Sequence, residues 1–215
     1  MKGPLVEIER LLEEAGVPLL LVDRVEVDRL APGLNHQGVA AVTARYRYTP
    51  LERLLETDDA RLLFLDGVMD PHNLGSLLRS ADGARFHGVV IPARRAAGVS
   101  ATVRRISAGA AEVVPVARVT NLTRALEQAR RAGVWIVGLD ADAPDDLWRS
   151  RMIEPPVGLV CGSEDKGLSR TVRSACDALV RIPLGGSLES LNVSVAGAIA
   201  MFEVARHLDL GPPHD

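Results

Sequence analysis

The chain has few of several residue types, and each shortage excludes something. Of its 215 residues only two are cysteine, Cys161 and Cys176, and they show no metal-ligand spacing. They are expected to be reduced core residues rather than half of a disulfide framework or a metal site. No apolar run approaches the roughly 18 residues a membrane span needs. The first residues, Met1-Lys-Gly-Pro-Leu-Val-Glu, lack the apolar core of a secretory signal, so a cytoplasmic location is expected, with neither membrane nor metal as a partner. Neither a Walker A loop nor a GxGxxG fingerprint is present, which leaves an NTPase or a dinucleotide enzyme without support. Lysine is nearly missing: of 25 basic residues only Lys2 and Lys166 are not arginine. Arginine binds phosphate in a flat, bidentate way and stacks on bases, whereas lysine acts as a point charge. An arginine-preferring codon bias explains the excess equally well. The net charge of −3 does not suggest a nucleic-acid binder, yet Arg94–Arg95, Arg104–Arg105, Arg45 and Arg47 cluster enough to form a basic face.

Two regions are legible. Residues 1–57 carry a helical pattern at Leu5, Ile8, Leu11 and Leu12, and a strand at Leu19 to Val22. A short helix near Val25 to Leu30, a strand at Val39 to Thr43 and a linker helix at Pro50 to Leu55 follow. From residue 58 onward strands and helices alternate, with strands expected near 61–65, 88–91, 112–116, 134–139, 157–161 and 178–182. Helices are expected near 74–85, 99–108, 121–132, 168–176 and 192–207. The strands are short and rich in Val, Leu and Ile, as in a parallel sheet covered on both faces, and the alternation implies a doubly wound α/β domain.

Three Gly- and Asn-rich blocks follow expected strands and lead into expected helices, which is where α/β sheets bind small molecules. The first, Asp66-Gly-Val-Met-Asp-Pro-His-Asn-Leu-Gly-Ser-Leu-Leu-Arg79, has Asn73 at a position suited to a helix cap. Its Arg79 lies off the apolar stripe of Leu74, Leu77, Leu78 and Ala81. The second, Gly162-Ser-Glu-Asp-Lys-Gly167, presents Glu164 at the end of a buried strand. The third, Ile182-Pro-Leu-Gly-Gly-Ser-Leu-Glu-Ser-Leu-Asn-Val-Ser194, places Ser190, Asn192 and Ser194 in an apolar neighbourhood, where polar groups need partners or a ligand. A cap by Ser190 or Asn192 explains one of the three.

In this order the blocks closely resemble the three motifs of the SpoU family of RNA ribose 2′-O-methyltransferases, in the SPOUT superfamily. The segment Asn35-His-Gln-Gly-Val39 resembles the end of the N-terminal RNA-recognition domain in the 23S rRNA guanosine 2′-O-methyltransferase branch. Relatives there carry a longer N-terminal domain, so this one is expected to be shortened at its start. The resemblance implies an α/β knot, with a C-terminal trefoil knot, a homodimer, and S-adenosyl-L-methionine bound in the knot. It puts the adenine against Gly162, Ile182 and Leu191, and the chemistry on Arg79, Asn73, Glu164, Asn192 and Ser190. Arg79 is then a cation for the target phosphate and the developing alkoxide, oriented by Asn73 and Glu164, with Ser190 and Asn192 completing the wall around the ribose. A tRNA ribose as target, or an inactive RNA-binding or ribosome-assembly protein of the same fold, are the alternatives.

Overall fold

In the computed structural model, residues 4–33, 35–206 and 208 are described. The chain divides into two compact units, Met1–Arg45 and Tyr46–Asp215.

The first unit contains helices α1 (Pro4–Glu14) and α2 (Arg24–Leu30). Arg10 clamps α1 by pairing with Glu7 and Glu14. Asp23 caps α2 by accepting the Glu26 N–H at 2.9 Å. The strands expected at 19–22 and 39–43 do not form: neither stretch adopts strand structure. The side chains explain this, since Leu20, Leu21 and Val42 are each at least 80% exposed and bury too little surface to hold a strand.

The second unit carries α3 (Leu51–Leu54), β1 (Arg61–Asp66), α4 (Pro71–Gly83), β2 (Gly88–Pro92), α5 (Ala101–Ile106), α6 (Ala110–Val113) and β3 (Val116–Val119). Then come α7 (Leu122–Arg131), β4 (Trp135–Leu139), β5 (Asp145–Asp146), β6 (Val157–Gly162), α8 (Arg170–Ala175), β7 (Ala178–Arg181) and α9 (Val193–Ala205). All strand pairings are parallel, in the order β3-β2-β1-β6-β4-β7-β5. β1 shows why the sheet is buried on both sides. Its Leu63 and Leu65 enter one core, with Leu77 and Leu78 of α4 and Met201 of α9. Its Leu62 and Phe64 enter the other, with Leu51 and Leu54 of α3, Leu126 of α7 and Val172 of α8. Tyr46, Tyr48, Leu51 and Leu54 pack on these cores, so the stretch expected as a linker is part of the second unit.

Two local expectations are corrected. Residues 112–116 are not a strand: the run opens as helix α6, and the strand begins only at Val116. The left-handed Ala108 and Gly109, at φ 51° and 95°, end the helix expected at 99–108 and start a separate turn of helix, α6, which takes the first residues of the expected strand and so shifts the strand along the chain. The two-residue β5, which pairs with β7 at the sheet's edge, is too short to leave a periodic trace in the sequence.

Candidate active site

The carboxyl ends of β1 and its neighbour β6 carry the first two blocks. After β1, Asp70 rather than Asn73 caps α4: its Oδ1 accepts the His72 N–H at 2.8 Å, and Pro71 takes the first helical turn, where no N–H is needed. Asn73, 7% exposed, is thereby freed from capping and sits inside the first turn with its amide turned toward β6. Its Nδ2 donates to Glu164 Oε1 at 2.8 Å. Asn192 Nδ2 donates to Asn73 Oδ1 at 3.1 Å and also, very closely, to the same Glu164 oxygen.

Asn192 is itself fixed. It caps α9, its Oδ1 accepting the backbone N–H of Ser194 at 2.8 Å and the Ser194 hydroxyl at 2.6 Å. Three residues from three separate blocks therefore close a circuit in which every amide is committed. Glu164 Oε1 takes two donors, and its Oε2 has no hydrogen-bond partner among the described residues. An uncommitted oxygen on an exposed carboxylate can accept a proton or orient a hydroxyl.

The turn that carries Glu164 is folded hard on itself. Ser163 and Gly167 exchange backbone hydrogen bonds of 3.0 and 2.8 Å, and Gly167 adopts φ +60°. A Cβ on Gly162 would lie 2.1 Å from the Gly167 carbonyl carbon, so only glycine lets the strand end pass beneath the turn. On β1, Asp66 Oδ2 accepts the Ser169 N–H at 2.7 Å and ties down the far side of the same loop.

Beside the circuit lies a cleft of about 620 Å³, within the range of small-molecule sites. Its walls are the loops after β4, β6 and β7 together with the start of α9. Gly162, Glu164, Ile182, Ser190 and Leu191 all line it. Ser190 is exposed, while Gly162, Ile182 and Leu191 are half-buried. The exposed Leu184 and Leu188 add apolar surface at its mouth, and Asp140 and Asp142 add carboxylates. A lining that mixes apolar side chains with backbone and carboxylate groups suits a nucleoside that carries a charged tail, so the cleft fits S-adenosylmethionine. Sequence reading missed Asp140, Asp142, Leu184 and Leu188. Asp140 and Asp142 follow strand 134–139 directly, and their place at a strand's carboxyl end was the available signal.

Arg79 is not joined to the circuit. It is exposed on α4 and makes no hydrogen bond or ion pair with Asn73, Glu164 or Asn192. One turn on from it, Gly83 faces the ring of Phe202 of α9, which is nearly half exposed. Cys161 and Cys176 are free thiols, and burial pushes both up to about 12, so neither is a nucleophile at neutral pH.

Comparison with known proteins gives the same site a family. The SpoU rRNA Methylase family model matches residues 60–202. A model described as RNA 2′-O ribose methyltransferase substrate binding matches residues 2–49. The 23S rRNA (guanosine-2′-O-)-methyltransferase RlmB of Nitrosomonas europaea is 48% identical over 203 residues, 93% of this chain and 78% of that protein. An AdoMet-bound rRNA methyltransferase from Sinorhizobium meliloti superposes with a TM-score of 0.78 at 26% identity, covering 95% of this chain and 77% of that one. The SpoU methyltransferase AviRb from Streptomyces viridochromogenes, in complex with AdoMet, superposes with a TM-score of 0.69 at 31% identity, covering 77% and 67%. With its model match spanning all three blocks of the site, the chain belongs to the SpoU rRNA methylase family.

Proposed function

We propose that the chain is an S-adenosylmethionine-dependent methyltransferase that methylates the ribose 2′-hydroxyl of a guanosine in 23S rRNA. The observation that carries this reading is the Asn73–Glu164–Asn192 circuit at the edge of a cleft of nucleoside size. The 23S rRNA target is supported by the relative from Nitrosomonas europaea, whose name states that activity.

The backbone groups of Gly162, Ile182 and Leu191 hold the adenine, and Ser190 lines the ribose side. S-adenosylmethionine, when bound, supplies a methyl group on a positively charged sulfur. With Oε1 saturated by two amides, Glu164 turns Oε2 toward the 2′-hydroxyl and takes a hydrogen bond from it. Asn73 and Asn192 keep that carboxylate from swinging away, which is a positioning role. Arg79 binds the neighbouring phosphate and stabilises the alkoxide as the proton passes to Glu164 Oε2; guanidinium stays charged, so it does not serve as the base.

Arg79 reaches the circuit from a second copy of the chain. In support, α9 is apolar apart from Ser194 and Glu203, yet Val195 and Phe202 are exposed, and Phe202 lies over Gly83, one turn on from Arg79 on α4. Large apolar side chains exposed on so apolar a helix mark a contact surface, and a homodimer seam covers them. The N-terminal unit, residues 1–45, acts in RNA recognition; residues 46–57 join the second unit, whose residues 58–215 carry methyl transfer, with the C-terminal segment drawn into the SPOUT trefoil knot around the cleft. The test is transfer of labelled methyl from S-adenosylmethionine to unmodified 23S rRNA and to tRNA. Label in 23S rRNA alone, lost with Glu164→Gln, is expected; label in tRNA alone would move the target.

A further inference from the structure

The clustered arginines divide into two kinds. Arg104 and Arg118 are structural. The Arg104 guanidinium lies 5.8 Å from the Tyr46 ring centre and pairs with Glu112 at 2.7 Å. The Arg118 guanidinium lies 5.4 Å from the Tyr48 ring centre and donates to the Ala93 carbonyl at 2.9 Å. The two rings meet edge to face at 5.1 Å. This aromatic pair is the mount on which the loop after β2 rests.

That loop, residues 93–100, is pinned along its length. Ala93 N–H donates to Val119 O at 2.7 Å, Ala97 N–H to Val68 O at 2.9 Å, and Val99 N–H to the Tyr48 hydroxyl at 3.1 Å. Between the pins stand Arg94 and Arg95, both exposed, with no ion pair or hydrogen bond among the described residues. Arg95 is held at φ +55°, in a left-handed conformation that a non-glycine residue adopts only at a cost. Arg105 is a third exposed, unengaged guanidinium, on α5. The Ala97 bond to Val68 fastens this loop to the one after β1, two residues before the Asp70 cap of the Asn73 helix. The arginines therefore share the sheet's carboxyl edge with the active site.

We infer that Arg94 and Arg95, with Arg105, form a docking edge for the RNA phosphate backbone on the catalytic unit itself, separate from the N-terminal unit. A bent, anchored loop that carries adjacent unpaired guanidiniums, on a chain of net charge −3, is a local cationic patch that a polyanion would seek out. This rests on the proposed RNA methyl transfer.

The test compares R94Q/R95Q with a control pair, R53Q/R131Q, in the full chain. Arg53 and Arg131 lie near the opposite edge, before β1 and β4 begin. Binding to in vitro transcribed, unmodified 23S rRNA is measured over a range of salt. Each phosphate contact contributes about 0.7–0.9 to the slope of log K against log salt, so R94Q/R95Q should flatten it by about 1.5. Affinity at 0.1 M salt should fall on the order of tenfold, with S-adenosylmethionine affinity unchanged and the control pair like wild type. An unchanged slope in R94Q/R95Q, or an equal loss in the control pair, overturns the docking edge. If wild type transfers methyl and the slope does not move, only the edge fails; if the slope falls but wild type transfers no methyl, the edge stands and the enzymatic reading fails.

Discussion

The side-chain amide of Asn73 donates to Oε1 of Glu164 at 2.8 Å, joining residues 91 positions apart. This contact holds the end of β1 against the end of β6 and fixes which carboxylate oxygen faces outward. On the proposed mechanism Asn73, buried and without charge, is a positioning residue. Asn73→Ala removes a donor from Glu164 and leaves Asn192 to bind the carboxylate alone. Turnover is expected to fall by about 10²-fold, the scale at which misplacement of a reacting group is felt. S-adenosylmethionine affinity, measured by calorimetry, should be nearly unchanged, since Asn73 does not line the cleft. An equal loss in cofactor affinity would place Asn73 in the cofactor site instead.

Arg79 offers the reverse separation. It is exposed and makes no contact with the circuit, so Arg79→Ala should alter unfolding free energy by no more than about 0.5 kcal/mol. Turnover should nevertheless drop by about 10²–10³-fold, the cost of removing a transition-state charge partner. Arg79→Lys keeps the charge and loses the planar fork, and should recover only part of it. Near-wild-type turnover in Arg79→Lys would end the bidentate role. If, as proposed, one protomer's arginine serves its partner's carboxylate, mixing Arg79→Ala with Glu164→Gln protein should restore activity that neither has alone.

Gly162→Ala tests the cleft. The added methyl meets the Gly167 carbonyl carbon at 2.1 Å, where backbone and not a flexible side chain must move. A cost of roughly 1–3 kcal/mol in stability is expected, as for other overpacked sites. Cofactor affinity should fall with it, because the displaced turn forms the cleft wall. A variant with wild-type thermal midpoint and cofactor affinity would contradict this geometry.

His87 makes stability depend on pH at the other end of the sheet. Its half-buried ring lies against Arg61, whose backbone N–H donates to Nδ1 at 3.1 Å and whose Nη2 sits 2.9 Å from Nε2. Burial first, then the Arg61 charge, holds the imidazole below its ordinary value. The neutral ring accepts from one of these two donors, and a protonated ring from neither. The unfolded chain therefore binds this proton more readily than the fold, and the stabilisation is complete above the unfolded value of about 6.5. It is lost as pH falls below that value toward the lower folded one. The thermal midpoint should drop on going from pH 8 to pH 5.5, and His87→Gln should flatten the drop. An unchanged slope in the variant would assign the effect elsewhere.

Much of this architecture was legible in the residues. The alternation of Val- and Leu-rich strands with amphipathic helices located β1, β2, β4, β6 and β7, because a doubly covered parallel sheet writes its burial into the sequence. The strands expected at 19–22 and 39–43 misled, since an apolar run states a capacity to pair and not the presence of a partner. Asn73 was expected near a cap because Asn is a good one; Asp70, followed by Pro71, outcompetes it, and that frees the amide for Glu164. The Asn73–Glu164–Asn192 circuit itself could not be read from spacing. It depends on which strands are neighbours, and β1 beside β6 is a crossover no local pattern records. The family resemblance, not periodicity, brought those residues into one list.

The most direct test is the position of the methyl group. Unmodified 23S rRNA is incubated with the protein and S-adenosylmethionine, and the product is mapped by alkaline hydrolysis, which a 2′-O-methyl group blocks. A single resistant linkage at a guanosine, absent with Glu164→Gln, is the predicted result. Methyl incorporation that leaves every linkage labile would place the group on a base, and would contradict a carboxylate poised for a ribose hydroxyl.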